Sequence, residues 1–218
     1  MSHPRTPGPS HRYYGEGRRV RRGGGPMARI SLTPPRSLFF RIMERYSKRA
    51  YGKVLDPGKA MAHHRRVLWS YLRFEQSVAK WNKLDAGLKE LAVMASAASI
   101  GCSWCMDFGY WEGHRLGMDP RKLHGVPLWR ESDAYTPLER DVMAYAEAMT
   151  ANPPEVDDEL AGRLVQRLGE AAFVELTMIV AVENLRSRFN SAMGLTSQGF
   201  KDSCDLRGAP AGGARDTL

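Results

Sequence analysis

The sequence predicts an all-α protein, a single helical domain between two disordered tails. Apolar residues recur at spacings of three and four through most of the chain, and glycine or proline follows these stretches. No segment pair alternates apolar and polar residues as strands do. We place the domain at residues 27–204 and the tails at 1–26 and 205–218, which hold many Gly, Pro and Arg residues and little to bury.

Seven helices account for the domain. The first runs from Ser37 to Tyr51 and is amphipathic, with an apolar stripe suited to docking or to a subunit contact. In the second, apolar residues step by four and three, and we predict them to be buried: Val67, Tyr71, Phe74, Val78 and Trp81. The remaining helices are predicted at 86–99, 102–116, 137–149, 157–168 and 170–193.

Three local signals define helix ends within this domain. Asp85 is a predicted N-cap, because its carboxylate can accept the free N–H groups of the next helix. Gly101 is predicted to end that helix just before the cysteines. Thr136 and Glu139 form a predicted capping box, with proline at the first helical position.

Positive charge is concentrated near the start of the chain. The formal net charge is +8, yet residues 1–26 alone contain six arginines and one glutamate. The part that contains the cysteines is mildly acidic. A nucleic-acid function would therefore rest on a tail, and we expect no nucleic-acid partner.

Two features argue against export or membrane insertion. No apolar run reaches the roughly 18–20 residues that a membrane-spanning helix needs. The arginines near the start are followed by Gly-Gly-Gly-Pro, not by the apolar core of a secretory signal. We therefore expect a soluble, cytoplasmic protein with no membrane partner.

The chemical signal is a Cys-x-x-Cys pair, Cys102 and Cys105, which holds two of the three cysteines. In a chain without a disulfide framework such a pair is typical of a redox or metal site. A helix N-terminus lowers the pKa of a thiol from its ordinary value of about 8.5. A spacing of three places both sulfurs on one face, where a disulfide can close. The pattern predicts a redox-active disulfide and no other cofactor.

Two alternatives compete with redox chemistry. Both cysteines could be inert core residues, because a free thiol packs as a small apolar group. They could also be half of a zinc site completed by Cys204 and a histidine, although the sequence has no second Cys-x-x-Cys and no His-x₃-His. On that ligand count we predict no metal.

The stretch ELAVMASAASIGCSWC, in which Glu90 precedes Cys102 by twelve residues, resembles the carboxymuconolactone decarboxylase / alkyl hydroperoxidase D (AhpD-like) superfamily. The resemblance covers residues 60–195 and implies an AhpD-like helical bundle that forms a homo-oligomer, a trimer or a multiple of one. Members with both cysteines reduce peroxides or disulfides, which implies a thiol-dependent oxidoreductase with such a substrate and a separate electron donor. Members without them include the decarboxylase, so the alternative is a non-redox lyase or small-ligand-binding protein.

The resemblance also implies residue roles. Glu90 matches the carboxylate of the family's proton relay, Cys105 the attacking thiol and Cys102 the resolving one. The helix N-terminus by itself favours Cys102 as the more acidic thiol, so the order of attack stays open. The family often has a histidine four residues after the second cysteine, where this chain has Gly109, which leaves the relay incomplete. Without the resemblance, Glu90 would be interpreted as an exposed helix residue.

Five further residues are candidates for a substrate pocket or polar wall around the thiols: Trp104, Phe108, Glu112, Arg186 and Asn190. The aromatic residues have an alternative role as core or subunit contacts. On the last helix Glu183, Arg186 and Asn190 share a face at spacings of three and four. That face is a wall that binds an anionic group, an ion pair on a solvated face, or a subunit contact.

Overall fold

The computed structural model describes residues 28–205, and its regular structure is entirely helical. The helices of this part are α1 (Leu38–Tyr51), α2 (Asp56–Met61), α3 (Arg65–Val78), α4 (Ala86–Ile100), α5 (Ser103–Arg115), α6 (Pro120–Gly125), α7 (Pro137–Thr150), α8 (Asp158–Leu168), α9 (Glu170–Met193) and α10 (Asp202–Asp205). A 3₁₀ segment, Val126–Glu131, follows α6. The all-α prediction is confirmed. The predicted tails lie outside the described residues, apart from Asp205, which ends α10.

The seven predicted helices match the seven longest ones, and their ends agree because the capping signals act locally. Asp85 Oδ1 accepts the backbone N–H groups of Gly87 and Leu88 at 2.9 and 3.0 Å. The Thr136–Glu139 capping box is formed in full. The short helices α2, α6 and α10 and the 3₁₀ segment were not predicted, because each is about two turns or less and carries too little periodicity.

Helix α4 lies at the centre of the fold and packs against α5, α7 and α9. It is buried on almost every side, through Leu91, Ala92, Met94, Ala95, Ser96 and Ala97. Its many alanines let the neighbouring helices approach closely. Helix α5, which begins at the cysteine pair, and helix α9 therefore both pack against one apolar helix, α4.

The predicted buried side of α3 is wrong in part. Val67 and Phe74 are 46% and 37% exposed, whereas Leu68 is 1% exposed and packs with Met43 and Met61. The spacing identifies an apolar face, but whether a neighbour covers that face depends on tertiary packing. The core therefore covers α3 through a face that is rotated by about one residue from the predicted one.

Helix α1 presents part of its apolar stripe outward, while Met43 of the same stripe packs with Met61 and Leu68. Leu38, Ile42 and Tyr46 are all exposed, which is the arrangement that a docking or subunit-contact helix requires. The homo-oligomer stays a prediction, and this stripe is a surface on which it could form. Within residues 28–205 no helix combines the length and apolarity needed to cross a bilayer.

The segment after α9 is fastened to α5 by one buried carboxylate. Asp107 Oδ2 accepts the backbone N–H groups of Gln198 and Phe200 at 2.8 and 3.0 Å, and its Oδ1 accepts that of Lys201 at 2.8 Å. Asp107 is buried, so water does not replace these bonds. The carboxylate thereby fixes the end of the fold beside the cysteine helix.

We expect Asp107→Ala to lower the free energy of unfolding by about 2–4 kcal/mol, because three backbone donors lose a charged acceptor. Urea denaturation followed by circular dichroism measures the change. Asp133→Ala removes an exposed carboxylate and is the control, with an expected change within about 0.5 kcal/mol. Equal stabilities of the two variants would contradict the role of Asp107.

Candidate active site

Cys102 and Cys105 form a disulfide at the start of α5. Gly101 ends α4 with φ +78°, a left-handed conformation that lets the chain turn directly into α5. Cys102 is the N-cap of α5, and its Sγ accepts the backbone N–H of Cys105 at 3.2 Å. The cysteines are 2% and 5% exposed. The pair therefore sits at a helix N-terminus, as predicted, but below the surface.

Two side chains of α9 contact the sulfur of Cys105. Ser187 Oγ donates to Cys105 Sγ at 3.2 Å, and Asn190 Nδ2 donates to it at 3.3 Å. Both residues are buried. Hydrogen bonds from such donors favour the charged form of a thiol, so this environment stabilises a Cys105 thiolate once the disulfide is reduced.

A third residue of α9, Glu183, lies behind Ser187. Ser187 Oγ lies 2.6 Å from Glu183 Oε1, which is the alternative acceptor for its single hydrogen. Burial raises the pKa of Glu183 to about 7, although the charge of Arg186 and the hydrogen bonds of Ser187 and Arg186 oppose the rise. A carboxyl group that gains and loses its proton near neutral pH is thus one hydroxyl group away from Cys105.

Arg186 binds a carboxylate of a distant helix. Its Nε and Nη2 donate to Glu75 of α3 at 2.8 and 2.5 Å, and its Nη1 lies 3.6 Å from Glu183 Oε2. Burial works against ionisation of Glu75, but the hydrogen bonds and charge of Arg186 outweigh it and lower the pKa of Glu75. The solvated-face interpretation of α9 is therefore wrong for Glu183 and Asn190, because α9 packs on α4 and α5 through this face.

Glu90 of α4 lies in the same region, close enough to Glu112, Glu183 and Arg186 to interact with them electrostatically. Its Oε1 is enclosed, and no hydrogen-bond donor of the described chain contacts it. Burial and the nearby carboxyl groups of Glu112 and Glu183 raise the pKa of Glu90 to about 8, against the opposing charge of Arg186. Glu90 is therefore mostly protonated at neutral pH, and its interpretation as an ordinary exposed residue is wrong.

Glu112 lies near these groups, two turns after Cys105 on α5. Burial raises its pKa, while the charges of Arg115 and Arg186 act in the opposite direction. Of the five predicted pocket residues, Glu112, Arg186 and Asn190 thus gather around Cys105 or its carboxyl neighbours. Whether they contact a substrate stays a prediction.

The predicted aromatic pocket residues face a different part of the molecule. Trp104 stacks on Phe108 with ring centroids 5.1 Å apart, and its Nε1 donates to Gln198 Oε1 at 2.8 Å. Phe108 also contacts the rings of Tyr51 and Phe200. Trp104 and Phe108 are thus part of an aromatic cluster between α5 and the segment that follows α9. Their role in a pocket stays a prediction.

Residues 28–205 contain no set of ligands for the zinc site that was the alternative to redox chemistry. No three His, Cys, Asp or Glu side chains of this part are grouped so that they could hold a metal ion. Cys204 is buried in α10, with its Sγ 3.7 Å from the carbonyl oxygen of Phe200.

Two residues of the site were not predicted from the sequence. Ser187 lies four residues after Glu183 and three before Asn190, so the helical spacing that identified its neighbours could have identified it as well. Glu75 carried no such signal, because its partner Arg186 is 111 residues away.

Comparison with known proteins decides the family. The sequence profile of the Carboxymuconolactone decarboxylase family matches residues 65–148. YnjA of Escherichia coli (strain K12) is 32% identical over 154 residues, which are 70% of this chain and 85% of YnjA. The chain belongs to the carboxymuconolactone decarboxylase family.

Two solved structures share the architecture of this family member. A peroxidase-related protein from Ralstonia eutropha JMP134, described as an alkylhydroperoxidase AhpD core, has a TM-score of 0.71 at 17% identity and covers 82% of this chain and 96% of its own. A variant of the debrominase Bmp8 in complex with 2,3,4-tribromopyrrole has a TM-score of 0.70 at 19% identity, with coverage of 81% and 97%. At these identities the likeness shows the fold alone, and it confirms the AhpD-like architecture.

The departure from the family pattern at Gly109 has a structural counterpart. A Cβ atom at Gly109 would lie 2.9 Å from Met94 Cγ and 3.0 Å from Glu90 Oε1. The carboxyl group of Glu90 and the side chain of Met94 therefore fill the space next to position 109. A histidine at this position would fit only if both side chains moved.

We expect the stability of the oxidised protein to fall as pH rises from 5 to 8. Unfolded glutamate loses its proton near pH 4.3, roughly, whereas folded Glu90 keeps it to about pH 8, so the folded state binds more protons across this interval. Glu90→Gln stays neutral and should flatten part of this slope, by up to about 1.4 kcal/mol per pH unit. Urea denaturation at several pH values measures the slope.

The exposed Glu170 of α9 provides the control for that experiment. Glu170→Gln should give a curve parallel to that of the wild type. A Glu90→Gln curve that is also parallel would show that Glu90 ionises in the folded state as freely as in the unfolded chain.

Proposed function

We propose that the chain is a thiol-dependent peroxidase that cycles Cys102 and Cys105 between dithiol and disulfide. The observation that carries the proposal is the buried disulfide at the N-terminus of α5, with Ser187 and Asn190 as donors to Cys105 Sγ. Membership in a family of enzymes and the AhpD-like fold support an enzymatic role.

Cys105 is proposed as the attacking thiol and Cys102 as the resolving one. The donors on α9 contact Cys105 Sγ, and two side-chain donors stabilise a thiolate in addition to the helix N-terminus. The sulfur of Cys102 accepts a single backbone N–H, that of Cys105. This difference favours Cys105, in agreement with the role that the resemblance implied.

The proposed cycle consists of three balanced steps. The Cys105 thiolate attacks the terminal oxygen of a hydroperoxide, the O–O bond breaks, and the alkoxide leaves as an alcohol after it gains a proton. Cys105 now carries a sulfenic acid, and the Cys102 thiol attacks its sulfur, so that the S–O bond breaks, water leaves and the disulfide forms. A small dithiol then reduces the disulfide to two thiols and is itself oxidised to a disulfide.

A small neutral substrate fits the site better than a protein disulfide or an anion. Both cysteines are almost fully buried, which favours a molecule the size of a hydroperoxide. Arg186 is already engaged by Glu75 and Glu183, so little positive charge is left to attract an anion. Glu90, protonated at neutral pH, is proposed as the proton donor to the departing alkoxide.

A non-redox lyase or small-ligand-binding protein is the second candidate, and Gly109 is the observation that favours it. Without the family histidine the thiol has lost one proton acceptor, and an inactive pair would remain as a structural disulfide. The two candidates differ in thiol reactivity, because packed thiols react slowly with alkylating agents below about pH 8.5.

We expect the reduced protein to consume hydrogen peroxide or cumene hydroperoxide with formation of the Cys102–Cys105 disulfide. Cys105→Ser should lower the rate by at least about 1,000-fold, because the attacking sulfur is lost. Cys102→Ser should react once and stop at a sulfenic acid on Cys105, because the resolving thiol is lost. Stopped-flow kinetics and mass spectrometry of trapped sulfenic acid measure both results.

Cys204→Ser is the matched control, since it removes the third cysteine from a site in α10. It should retain the wild-type rate within about twofold, as expected for a substitution outside the reacting pair. Full activity of Cys105→Ser would exclude the proposed mechanism. Wild-type thiols that resist both peroxides, and that alkylate only above pH 8.5, roughly, would support the non-redox candidate instead.

A further inference from the structure

A continuous line of hydrogen bonds joins Cys105 to a second buried carboxyl group. Cys105 Sγ lies 3.2 Å from Ser187 Oγ, and Ser187 Oγ lies 2.6 Å from Glu183 Oε1. All three residues are buried. The line joins α5 to α9 and includes neither Glu90 nor Gly109.

The serine hydroxyl has one hydrogen and two neighbours that can accept it. When Glu183 is ionised, the hydroxyl donates to the carboxylate. When Glu183 is protonated, its own O–H can donate to Ser187 Oγ, and the serine hydrogen is then directed at the sulfur. The orientation of one hydroxyl is therefore coupled to the protonation of Glu183, as a proton relay requires.

The groups that act on Glu183 come from three helices, α9, α3 and α4. On α9 itself, Arg186 lies 3.6 Å from Glu183 Oε2 and Ser187 donates to Oε1. From α3, the negative charge of Glu75 raises the pKa of Glu183. From α4, Glu90 interacts with Glu183 electrostatically.

Two further titratable groups complete these surroundings. Glu112 of α5 interacts with Glu90 and Arg186. Tyr71 of α3 has its pKa raised by burial and by Glu75 and keeps its proton. Burial raises the pKa of Glu183 more than the single guanidinium lowers it, so Glu183 can hold a proton at neutral pH.

The outer end of the line is a partly solvated ion pair. The Glu75 and Arg186 side chains are each 24% exposed, and Arg186 joins Glu75 to Glu183. The carboxyl group of Glu183 is thus placed between the sulfur and a partly solvated ion pair.

We propose that Glu183, acting through the hydroxyl group of Ser187, accepts the proton of the Cys105 thiol and returns a proton to that sulfur when the disulfide is reduced. The inference rests on the proposed redox function and names the route by which its thiol is activated. In the forward step the thiol hydrogen passes to Ser187 Oγ while the serine hydrogen passes to Glu183 Oε1. The products are a thiolate, an unchanged serine and a neutral carboxyl group.

Geometry separates this role from that of Glu90. None of the donors in the described chain contacts Glu90 Oε1, so no hydrogen-bonded line leads from it to the sulfur. Glu183 has such a line. The two carboxyl groups can thus act in opposite directions, Glu183 as an acceptor from the thiol and Glu90 as a donor to the leaving oxygen.

The test uses two readouts on reduced full-length protein between pH 5 and 9. One is the rate of Cys105 alkylation by iodoacetamide, followed by mass spectrometry, which depends on the thiolate alone. The other is the single-turnover rate of oxidation by hydrogen peroxide. For the wild type we expect both rates to rise with pH through a midpoint near 7, where Glu183 loses its proton and becomes able to accept that of the thiol.

In Glu183→Gln and in Ser187→Ala the rise of both rates near pH 7 should disappear, because no base then takes up the thiol proton, and the rates should follow the ionisation of an ordinary thiol, near pH 8.5. Oxidation at pH 7 should be about 10- to 100-fold slower, as expected when a general base is lost. The double variant should be no slower than either single variant, because the two residues act as one unit.

Two buried residues provide matched controls. Ser96→Ala removes a buried serine of α4 that donates to the carbonyl oxygen of Ala92, four residues earlier. Glu175→Gln alters a buried carboxylate of α9 that pairs with Lys89 at 2.5 Å. Either change can lower stability, but neither should move the midpoint.

The two proposals fail in different ways. If the wild type alkylates with a midpoint near 7 but peroxide leaves its thiols reduced, the peroxidase proposal fails while the relay stands. If peroxide oxidises the wild type and Glu183→Gln keeps both midpoint and rate, the relay is overturned and the peroxidase proposal stands. Effects of the two single variants that multiply in the double variant would also overturn the relay.

Discussion

The ionisation of four carboxyl groups in the site depends on the positive charge of one guanidinium group, that of Arg186. Arg186 is committed to Glu75 by a bidentate ion pair and is 3.6 Å from Glu183, so only part of its charge acts on the others. Burial then outweighs that charge at Glu90, Glu112 and Glu183, and each has a raised pKa. The structure therefore holds exchangeable protons beside a disulfide at neutral pH, and redox chemistry of a thiol needs such a supply.

Helix packing is what keeps those protons close to the sulfur. Ser187 and Asn190 stand three residues apart on α9, a spacing that aligns side chains on one face, and α9 lies against both α4 and α5. Gly101 ends α4 and places Cys102 at the N-cap of α5, so the disulfide has a fixed position at the start of that helix. Asp107 fastens the segment that follows α9 to α5. The reacting groups thus lie on rigid helices, which fix distances more tightly than loops do.

Local sequence signals were enough to predict the helix ends and the position of the cysteine pair. The caps at Asp85 and Thr136 and the position of the cysteine pair follow from residues a few positions apart, and the sequence contains that information directly. Burial does not follow in this way: the same spacing of three and four described a side of α3 on which Val67 and Phe74 are exposed and Val78 is buried, and also the enclosed polar face of α9. The pair of Glu75 with Arg186 joins residues 111 positions apart, so only tertiary structure reveals it. The raised pKa of Glu90 likewise depends on neighbours from other helices.

The crowded surroundings of Gly109 explain why a proton acceptor for Cys105 is expected on α9. Met94 and the carboxyl group of Glu90 occupy the space that a side chain at Gly109 would need, so an imidazole cannot enter without displacing them. A base for Cys105 must then approach from elsewhere, and α5 itself offers no hydrogen-bonded carboxyl group at that sulfur within the described chain. On α9, by contrast, a hydroxyl group and a carboxyl group already stand in line with it. In the proposed cycle the absence of a histidine at position 109 therefore does not leave the Cys105 thiol without a proton acceptor, because the polar face of α9 carries one.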